Sequence, residues 1–316
     1  MSYVATLISR PEEHTVKDVL VREAARFLPK GRVGLHLDPQ IAIDINFEMD
    51  DLEDLAGDGG HGVGRVQGFV TNLANEVRGL MRGEPVDVVI QPDDDNRRKR
   101  LFVADMDSTM IGQECIDELA DTVGLKDHVA AITERAMRGE IAFEPALRER
   151  VALLKGLSAN VIETVMRDRI RSNPGAQTLL ATMRAHGTRT CLVSGGFTHF
   201  VESVAEMLGF DHTRANILLT DAAGTLSGFV AEPILGRAAK RDALMALRND
   251  LHLTPAQTLA VGDGANDLDM LGEAGIGVAY HAKPKVAAAA PARIEHNDLT
   301  ALLYVQGYRR EEFVEA

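Results

Sequence analysis

Three short apolar runs break abruptly into acids, a hydroxyl or glycines, and these breaks constrain the chain more than any other feature. Residues 101–104 (LFVA) run into Asp105, residues 189–193 (RTCLV) into Ser194-Gly195-Gly196, and residues 258–261 (TLAV) into Gly262-Asp263-Gly264. A fourth run lies at 276–278 (IGV). Short apolar runs alternating with helical patterns predict strands of a parallel sheet, hence an α/β architecture from residue 101 onward. Open parallel sheets collect their ligands beyond the carboxyl ends of the strands. The three breaks therefore predict a single site. Residues 113–172 read as several helices with no strand, a helical cap inserted over that site. Residues 217–231 predict a β-hairpin turning at Ala223-Gly224.

The 91 residues ahead of this pattern read as a separate small unit. Residues 3–9 are strand-like, and 15–28 place Val16, Val19, Leu20, Ala24 and Phe27 on one helical face. Segments 32–37 and 41–47 alternate as strands joined at Asp38-Pro39-Gln40, 66–82 predicts a second helix, and 86–91 a last strand. The order β-α-β-β-α-β is that of a ferredoxin-like α+β unit. Its glycine-rich stretch, GDGGHGVGRVQG, fails as a dinucleotide loop because Gln67 stands where the third glycine is required. A flexible loop is expected over 57–64. Residues 92–100 (PDDDNRRKR) read as a solvated linker. The expected organisation is thus 1–91, a linker at 92–100, and 101–316 with the cap at about 113–172.

Charge and cysteines narrow the function classes. A formal net charge of −13 repels a phosphate backbone, and 4% aromatic residues with no Trp leave little for base stacking, so no nucleic-acid partner is expected. No apolar run approaches the length of a membrane span. The N-terminus lacks a basic start and a long apolar stretch, so a cytoplasmic protein is expected. Cys115 and Cys191 are too few for a disulfide framework and predict two reduced core thiols.

Four elements carry the chemistry. Asp105 and Asp107, two apart at a strand end in DMDST, suit cation binding, or attack on phosphorus by one carboxylate with proton transfer by the other. A calcium loop counted from Asp105 fails, with Met110 at the sixth position and Ile116 at the twelfth. Ser194 is no hydrolase elbow, since Leu192 stands where G-x-S-x-G needs glycine, but Ser-Gly-Gly suits phosphate. Lys240 lies in a helical segment, and GDGAND (262–267) brings Asp263, Asn266 and Asp267. Asp105 and Asp263 on adjacent strand ends are plausible ligands of a hard cation such as Mg²⁺.

In this order the four elements resemble the haloacid dehalogenase superfamily. DMDST, SGGF and GDGANDLDML are similar in particular to its phosphoserine phosphatases, over roughly residues 101–300. The resemblance implies a Rossmann-like sheet core. It also implies Asp105 as the nucleophile that becomes an aspartyl-phosphate, and Asp107 as general acid and base. Thr109, Ser194, Gly195 and Lys240 would hold the phosphoryl oxygens. Mg²⁺ would be bound by the Asp105 side chain, the Asp107 carbonyl and Asp263, with Asn266 and Asp267 supporting the site.

In the cap, Glu114 (GQECIDEL) and Arg150 (AFEPALRERV) match positions that take the ammonium and carboxylate of phosphoserine. Met137 and Phe143 match positions that close over it. The implied reaction is hydrolysis of O-phospho-L-serine to L-serine and phosphate, the last step of serine biosynthesis. The N-terminal unit is similar in outline to amino-acid-binding, ACT-like regulatory domains, which implies an amino-acid effector; a homodimer is a further expectation. The competing readings are a phosphatase or phosphotransferase acting on another small phosphomonoester such as phosphohomoserine, and a non-catalytic amino-acid or phosphate sensor. The paired acids argue against the sensor, and the need to protonate an alkoxide explains Asp107, which a dehalogenase would not use.

Overall fold

A computed structural model of the chain describes residues 1–49, 60–137 and 140–315, with the backbone alone at 60–65 and Met137. The N-terminal elements are β1 (Ser2–Ser9), α1 (Asp18–Phe27), β2 (Arg32–Asp38), β3 (Ala42–Glu48), α2 (Gly60–Leu80) and β4 (Val86–Pro92). The strands form one antiparallel sheet in the order β2-β3-β1-β4, the ferredoxin-like arrangement expected. Tyr3, Ala5, Leu7, Ile43, Ile45, Val86, Val88 and Ile90 face a core that includes Leu20, Ala24, Leu73 and Val77 from α1 and α2. Helix α2 starts at Gly60 rather than 66, so residues 60–64 are helical where the sequence predicts a loop. Glycine disfavours a helix by only about 1 kcal/mol relative to alanine and does not forbid one. Residues 57–59 lie outside the described residues.

The opposite face of this sheet is buried too, against the rest of the chain. Ile8, Leu37, Ile41 and Val89 join the same apolar cluster as Leu302 and Tyr304. Asp87, 2% exposed, accepts hydrogen bonds from the backbone N–H of Glu295 (2.8 Å), His296 (3.2 Å) and Asn297 (3.0 Å) and from Asn297 Nδ2 (2.9 Å). Tyr304 donates to Asp38 Oδ2 (2.6 Å), and Gln91 Nε2 to the Val305 carbonyl (2.6 Å).

The charged run after β4 is only in part solvated: Arg97 and Lys99 turn inward while Asp94, Asp95, Arg98 and Arg100 stay exposed. Arg97 grips Asp44 through both terminal nitrogens (2.8 Å each) and donates from Nε to the Val305 carbonyl (3.1 Å). Lys99 is buried, donates to the Ala256 carbonyl (2.8 Å), and is pushed down to about 8 chiefly by burial. Arg98 lies over the Tyr308 ring, 4.2 Å from its centroid. The partners are far away in the chain, out of reach of a local reading of charge.

Strand β5 (Leu101–Ala104) leads into the site turn 106–110 and the cap, which comprises α3 (Cys115–Asp121), α4 (Lys126–Met137), α5 (Phe143–Leu153) and α6 (Val161–Arg169). Ile111 and Ser172 pair as a β-bridge, so the insertion leaves and re-enters at one point. Then come α7 (Ala176–Ala185), β6 (Arg189–Phe197), α8 (Thr198–Leu208), β7 (His212–Asn216), the antiparallel hairpin β8 (Leu218–Thr220) and β9 (Leu226–Val230), and α9 (Arg237–Asp250). The chain continues through β10 (Thr258–Gly262), α10 (Leu268–Glu273), β11 (Ile276–Tyr280), α11 (Pro284–Ala289), β12 (Ala292–Ile294) and α12 (Ala301–Val305). The hairpin docks on the cap through Gly156 N–H to the Leu226 carbonyl (2.8 Å) and Leu226 N–H to the Leu157 carbonyl (2.8 Å).

The main sheet is parallel, in the order β12-β11-β10-β5-β6-β7. Chain order reverses direction at β5, which places Asp105 at the switch point between β10 and β6. Both cysteines are buried and free, as expected. No helix among the described residues is long and apolar enough to cross a membrane.

Candidate active site

Asp105 leaves the central strand with its carboxylate turned back on the following turn, where Oδ1 accepts the Met106 N–H (2.8 Å). The turn is tight enough that Ser108 adopts a left-handed φ of 55°. Lys240 reaches in from α9, 1% exposed, and bonds both Asp105 Oδ1 and Asp267 Oδ1 at 2.7 Å. Asp267 takes the Gly264 N–H on its other oxygen (2.9 Å), so both its oxygens are engaged. Thr109, fully buried, donates to Asp263 Oδ1 (3.3 Å). Asn266 folds back over Gly264, where a β-carbon would meet its Oδ1 at 2.1 Å.

Carboxylate oxygens of Asp105, Asp263 and Asp267 lie within 4.8 Å of one another. Three acids thus share one ammonium. Burial pushes Asp105 well above the carboxylate range, with the charge of Asp267 adding and Lys240 opposing. Burial, then Asp267, pushes Asp263 up to about 6. Burial works against the charge on Lys240, yet Asp105 and Asp267 together raise it above its ordinary value. A buried cluster of hard oxygens with surplus negative charge suits a divalent cation that takes oxygen ligands.

Asp107, half-buried, is the second acid of the turn. Its Oδ1 accepts the N–H of Cys115, first residue of α3, at 3.0 Å, and its Oδ2 faces the Ser194 hydroxyl at 3.4 Å. Burial raises its pKa, opposed mainly by the Cys115 hydrogen bond. Ser194 also accepts the Gly196 N–H (2.8 Å). A β-carbon at Gly196 would stand 3.0 Å from Ser194 Oγ and 3.1 Å from Asp107 Oδ2, so a side chain there would crowd both groups.

The cap brings further groups over this floor. Glu114 caps α3 and accepts the Ser108 hydroxyl at 2.7 Å. Its carboxylate opens to the cleft, yet the protein around it and then the charge of Asp107 push it up to about 7. Arg150, half-buried in the last turn of α5, donates to Thr133 Oγ1 (3.2 Å) and the Ala146 carbonyl (3.3 Å). Burial lowers its pKa, while Asp117, Glu114 and Asp107 are near enough to oppose this. Phe143 opens α5 with its ring against Gly195 and Gly236, whose β-carbons would stand 3.2 and 3.6 Å from it. Met137 ends α4, and its side chain lies outside the described residues.

The other candidate site residues are therefore brought together between sheet and cap, each bonded to, packed on or within electrostatic reach of another. Three supporting groups escape a reading of the sequence. Asn173 donates to the Thr109 carbonyl (2.8 Å), the Cys115 N–H holds Asp107, and Asn216 bonds the backbone at Gly195 and Leu235. Asn173 and Asn216 sit in polar segments without periodicity, and the Cys115 contact is made by backbone, so none leaves a signature in side-chain spacing.

Comparison with known proteins agrees with this geometry. The haloacid dehalogenase-like hydrolase family matches over residues 102–272. A phosphoserine phosphatase of Polaromonas sp. (strain JS666) is 48% identical over 209 residues, 65% of this chain and 88% of that protein. The unliganded crystal structure of a probable phosphoserine phosphatase from Vibrio cholerae superposes with a TM-score of 0.73 at 29% identity, covering 98% of this chain and 88% of the other. A substrate-bound phosphoserine phosphatase complex superposes with a TM-score of 0.61 at 37% identity, covering 65% of this chain and 97% of the other. The chain belongs to the haloacid dehalogenase-like hydrolases and, within them, to the phosphoserine phosphatase family.

Proposed function

We propose that this chain hydrolyses O-phospho-L-serine to L-serine and phosphate, the last step of serine biosynthesis. The observation that carries the reading is one acid, Glu114, and one base, Arg150, on the cap beside the acid pair of buried Asp105 and half-buried Asp107. Phosphoserine presents an ammonium and a carboxylate beside its phosphate, and those two cap residues answer both; guanidinium can take a carboxylate through two parallel bonds. Phe143 would close over the bound substrate, and Met137 takes the same role from the sequence resemblance alone.

In the first half-reaction the Asp105 carboxylate attacks phosphorus and the bond to the serine oxygen breaks. Asp107, whose raised pKa favours the protonated form, gives its proton to that oxygen. In the second, Asp107 takes a proton from the water that attacks the aspartyl-phosphate, and phosphate leaves with Asp105 restored. Lys240, Thr109, Ser194 and the Gly195 backbone hold the phosphoryl oxygens. Asp105, the Asp107 carbonyl and Asp263 would hold Mg²⁺, with Asn266 and Asp267 behind them, and the ion would supply the positive charge that lets a carboxylate approach a phosphate dianion.

The same reading takes 1–91 as an N-terminal domain that binds an amino-acid effector, 92–100 as the connection, and 101–316 as the catalytic domain with its cap at about 113–172, in a cytoplasmic homodimer. Support for the domain division is the separate apolar core of the N-terminal sheet. The test is phosphate release from O-phospho-L-serine with Mg²⁺ and with excess chelator, beside phosphothreonine, phosphohomoserine and an aryl phosphate. Cation-dependent turnover selective for phosphoserine is expected. Turnover of the aryl phosphate alone would sink the substrate assignment, and no turnover of any of them would sink the enzyme.

A further inference from the structure

Strand β6 leaves its ladder with β7 after Val193 and rejoins it at Phe197, opposite Asn216. The three residues that skip the ladder are Ser194, Gly195 and Gly196, so their backbone needs other partners. Asn216 supplies one, at Gly195. It is 3% exposed, and its Nδ2 donates to the carbonyls of Gly195 (2.9 Å) and Leu235 (3.1 Å) while its Oδ1 accepts the Leu235 N–H (2.7 Å). Leu235 stands just before Gly236, the residue that caps the Lys240 helix.

The Gly195 carbonyl and the Gly196 N–H belong to one planar peptide unit, so holding the oxygen fixes where the N–H points. That N–H donates to Ser194 Oγ (2.8 Å), and the Ser194 hydroxyl is directed at Asp107 Oδ2 (3.4 Å). We infer that Asn216 is a positioning residue for the reaction: through the 195–196 peptide and the Ser194 hydroxyl it sets the orientation of Asp107, and it ties that strand end to the start of the helix carrying Lys240. It touches neither substrate nor the reacting atoms. The inference rests on the proposed role of Asp107.

Asn216→Asp is the discriminating variant. It is nearly isosteric and keeps the acceptor for Leu235 N–H, but it sets a carboxylate oxygen against two carbonyl oxygens and releases the peptide. Turnover of O-phospho-L-serine is expected to fall about 10- to 100-fold, the scale of a misplaced catalytic group, with KM moved less than kcat, because Glu114 and Arg150, which take the amino-acid end, are not linked to Asn216 even though the phosphate-holding Gly195 is. A double-mutant cycle with Ser194→Ala reads the route. If Asn216 acts through Ser194, adding Asn216→Asp to Ser194→Ala costs less than about threefold; if it acts independently, the fold losses multiply and the inference is wrong. A kcat for the single variant within about twofold of wild type also overturns it. Should Asn216→Asp melt below the assay temperature, Asn216→Ser carries the same cycle without a buried charge: a cost that vanishes on the Ser194→Ala background supports the route, and multiplying losses overturn it. Wild-type protein that releases no phosphate at all overturns the proposed function and this inference together, whereas active wild type with an unaffected variant overturns only the inference.

Discussion

Two buried aspartates, Asp87 and Asp105, sit in this molecule under opposite terms. Asp87, at the junction of the N-terminal sheet with residues 295–297, is surrounded by donors: three backbone N–H groups and a side-chain amide meet its two oxygens. Asp105, at the end of the central strand, shares a single ammonium with two other acids. The first arrangement replaces the hydration the carboxylate lost on burial and asks for nothing more. The second leaves surplus negative charge at the place where the sheet opens to the cap. Equal burial thus separates a clamp from a reactive site only when the donors around each acid are counted.

The largest effect expected is on turnover. Asp105→Asn removes the nucleophile while leaving its shape, and phosphate release should drop roughly 10⁴-fold or more. The melting temperature should hold or rise, because a mutually repelling carboxylate is gone. Retained turnover would show that Asp105 is no nucleophile. Asp87→Ala should do the reverse. It takes the acceptor from four donors, of which the Glu295 and His296 N–H groups are part-buried and Asn297 Nδ2 keeps the Ile8 carbonyl, a loss on the order of 2 kcal/mol read as a lower denaturant midpoint, with kcat per folded molecule nearly unchanged. Should Asp87→Ala fold as well as wild type, the clamp fails as an explanation.

That contrast also marks how far the sequence can be read. Asp105, Ser194 and Asp263 are legible because each ends an apolar run and the parallel sheet forces strand ends together. The cap is legible because helical patterns follow one another through 113–172, and among the described residues there four helices form. The β1, β3 and β4 strands are legible in place but not in role: Thr6, Asp44, Asp87 and Gln91 are buried polar residues whose partners lie far along the chain, and no local period announces such a face. The 92–100 run misleads for the same reason, since Arg97 looks solvated until Asp44 is placed beside it. Strands β7 (HTRAN) and β12 (ARI) are too polar or too short for periodicity to find, and Asn216 goes with them.

A smaller effect follows from pH. Without a cation, Asp263 stands at about 6 in the fold against 3.8 for the free group. A raised pKa means that its contribution to folding is full below the unfolded value and is lost as pH rises through about 6. Cation-free protein should therefore gain stability from this group between pH 7 and pH 5, and Asp263→Asn should flatten that gain. Cation binding must displace the proton, so its apparent affinity should weaken up to tenfold per pH unit below about 6 from Asp263 alone. Calorimetric titration with Mg²⁺ at pH 5 and 7.5 checks the sign; equal affinity at both would place the ion away from Asp263.

The smallest expected effect tests whether satisfied burial is neutral at the N-terminal junction. Lys99 is buried with one carbonyl partner and is pushed down to about 8, so at neutral pH its charge is held largely against desolvation. Lys99→Met keeps the stem length and removes both the charge and the hydrogen bond. The Ala256 carbonyl loses a partner, costing about 1 kcal/mol, while relief of the ammonium's desolvation offsets it. The net change in stability at pH 7 should stay within about 1 kcal/mol. Raising the pH through 8 deprotonates Lys99 in the folded wild type while the unfolded chain keeps its proton to about 10.5, so wild type should gain stability relative to the variant over that range. A loss comparable with that of Asp87→Ala would instead make Lys99 part of the clamp, and the line between the two kinds of buried charge would have to be drawn at the number of bonds rather than at the sign of the surplus.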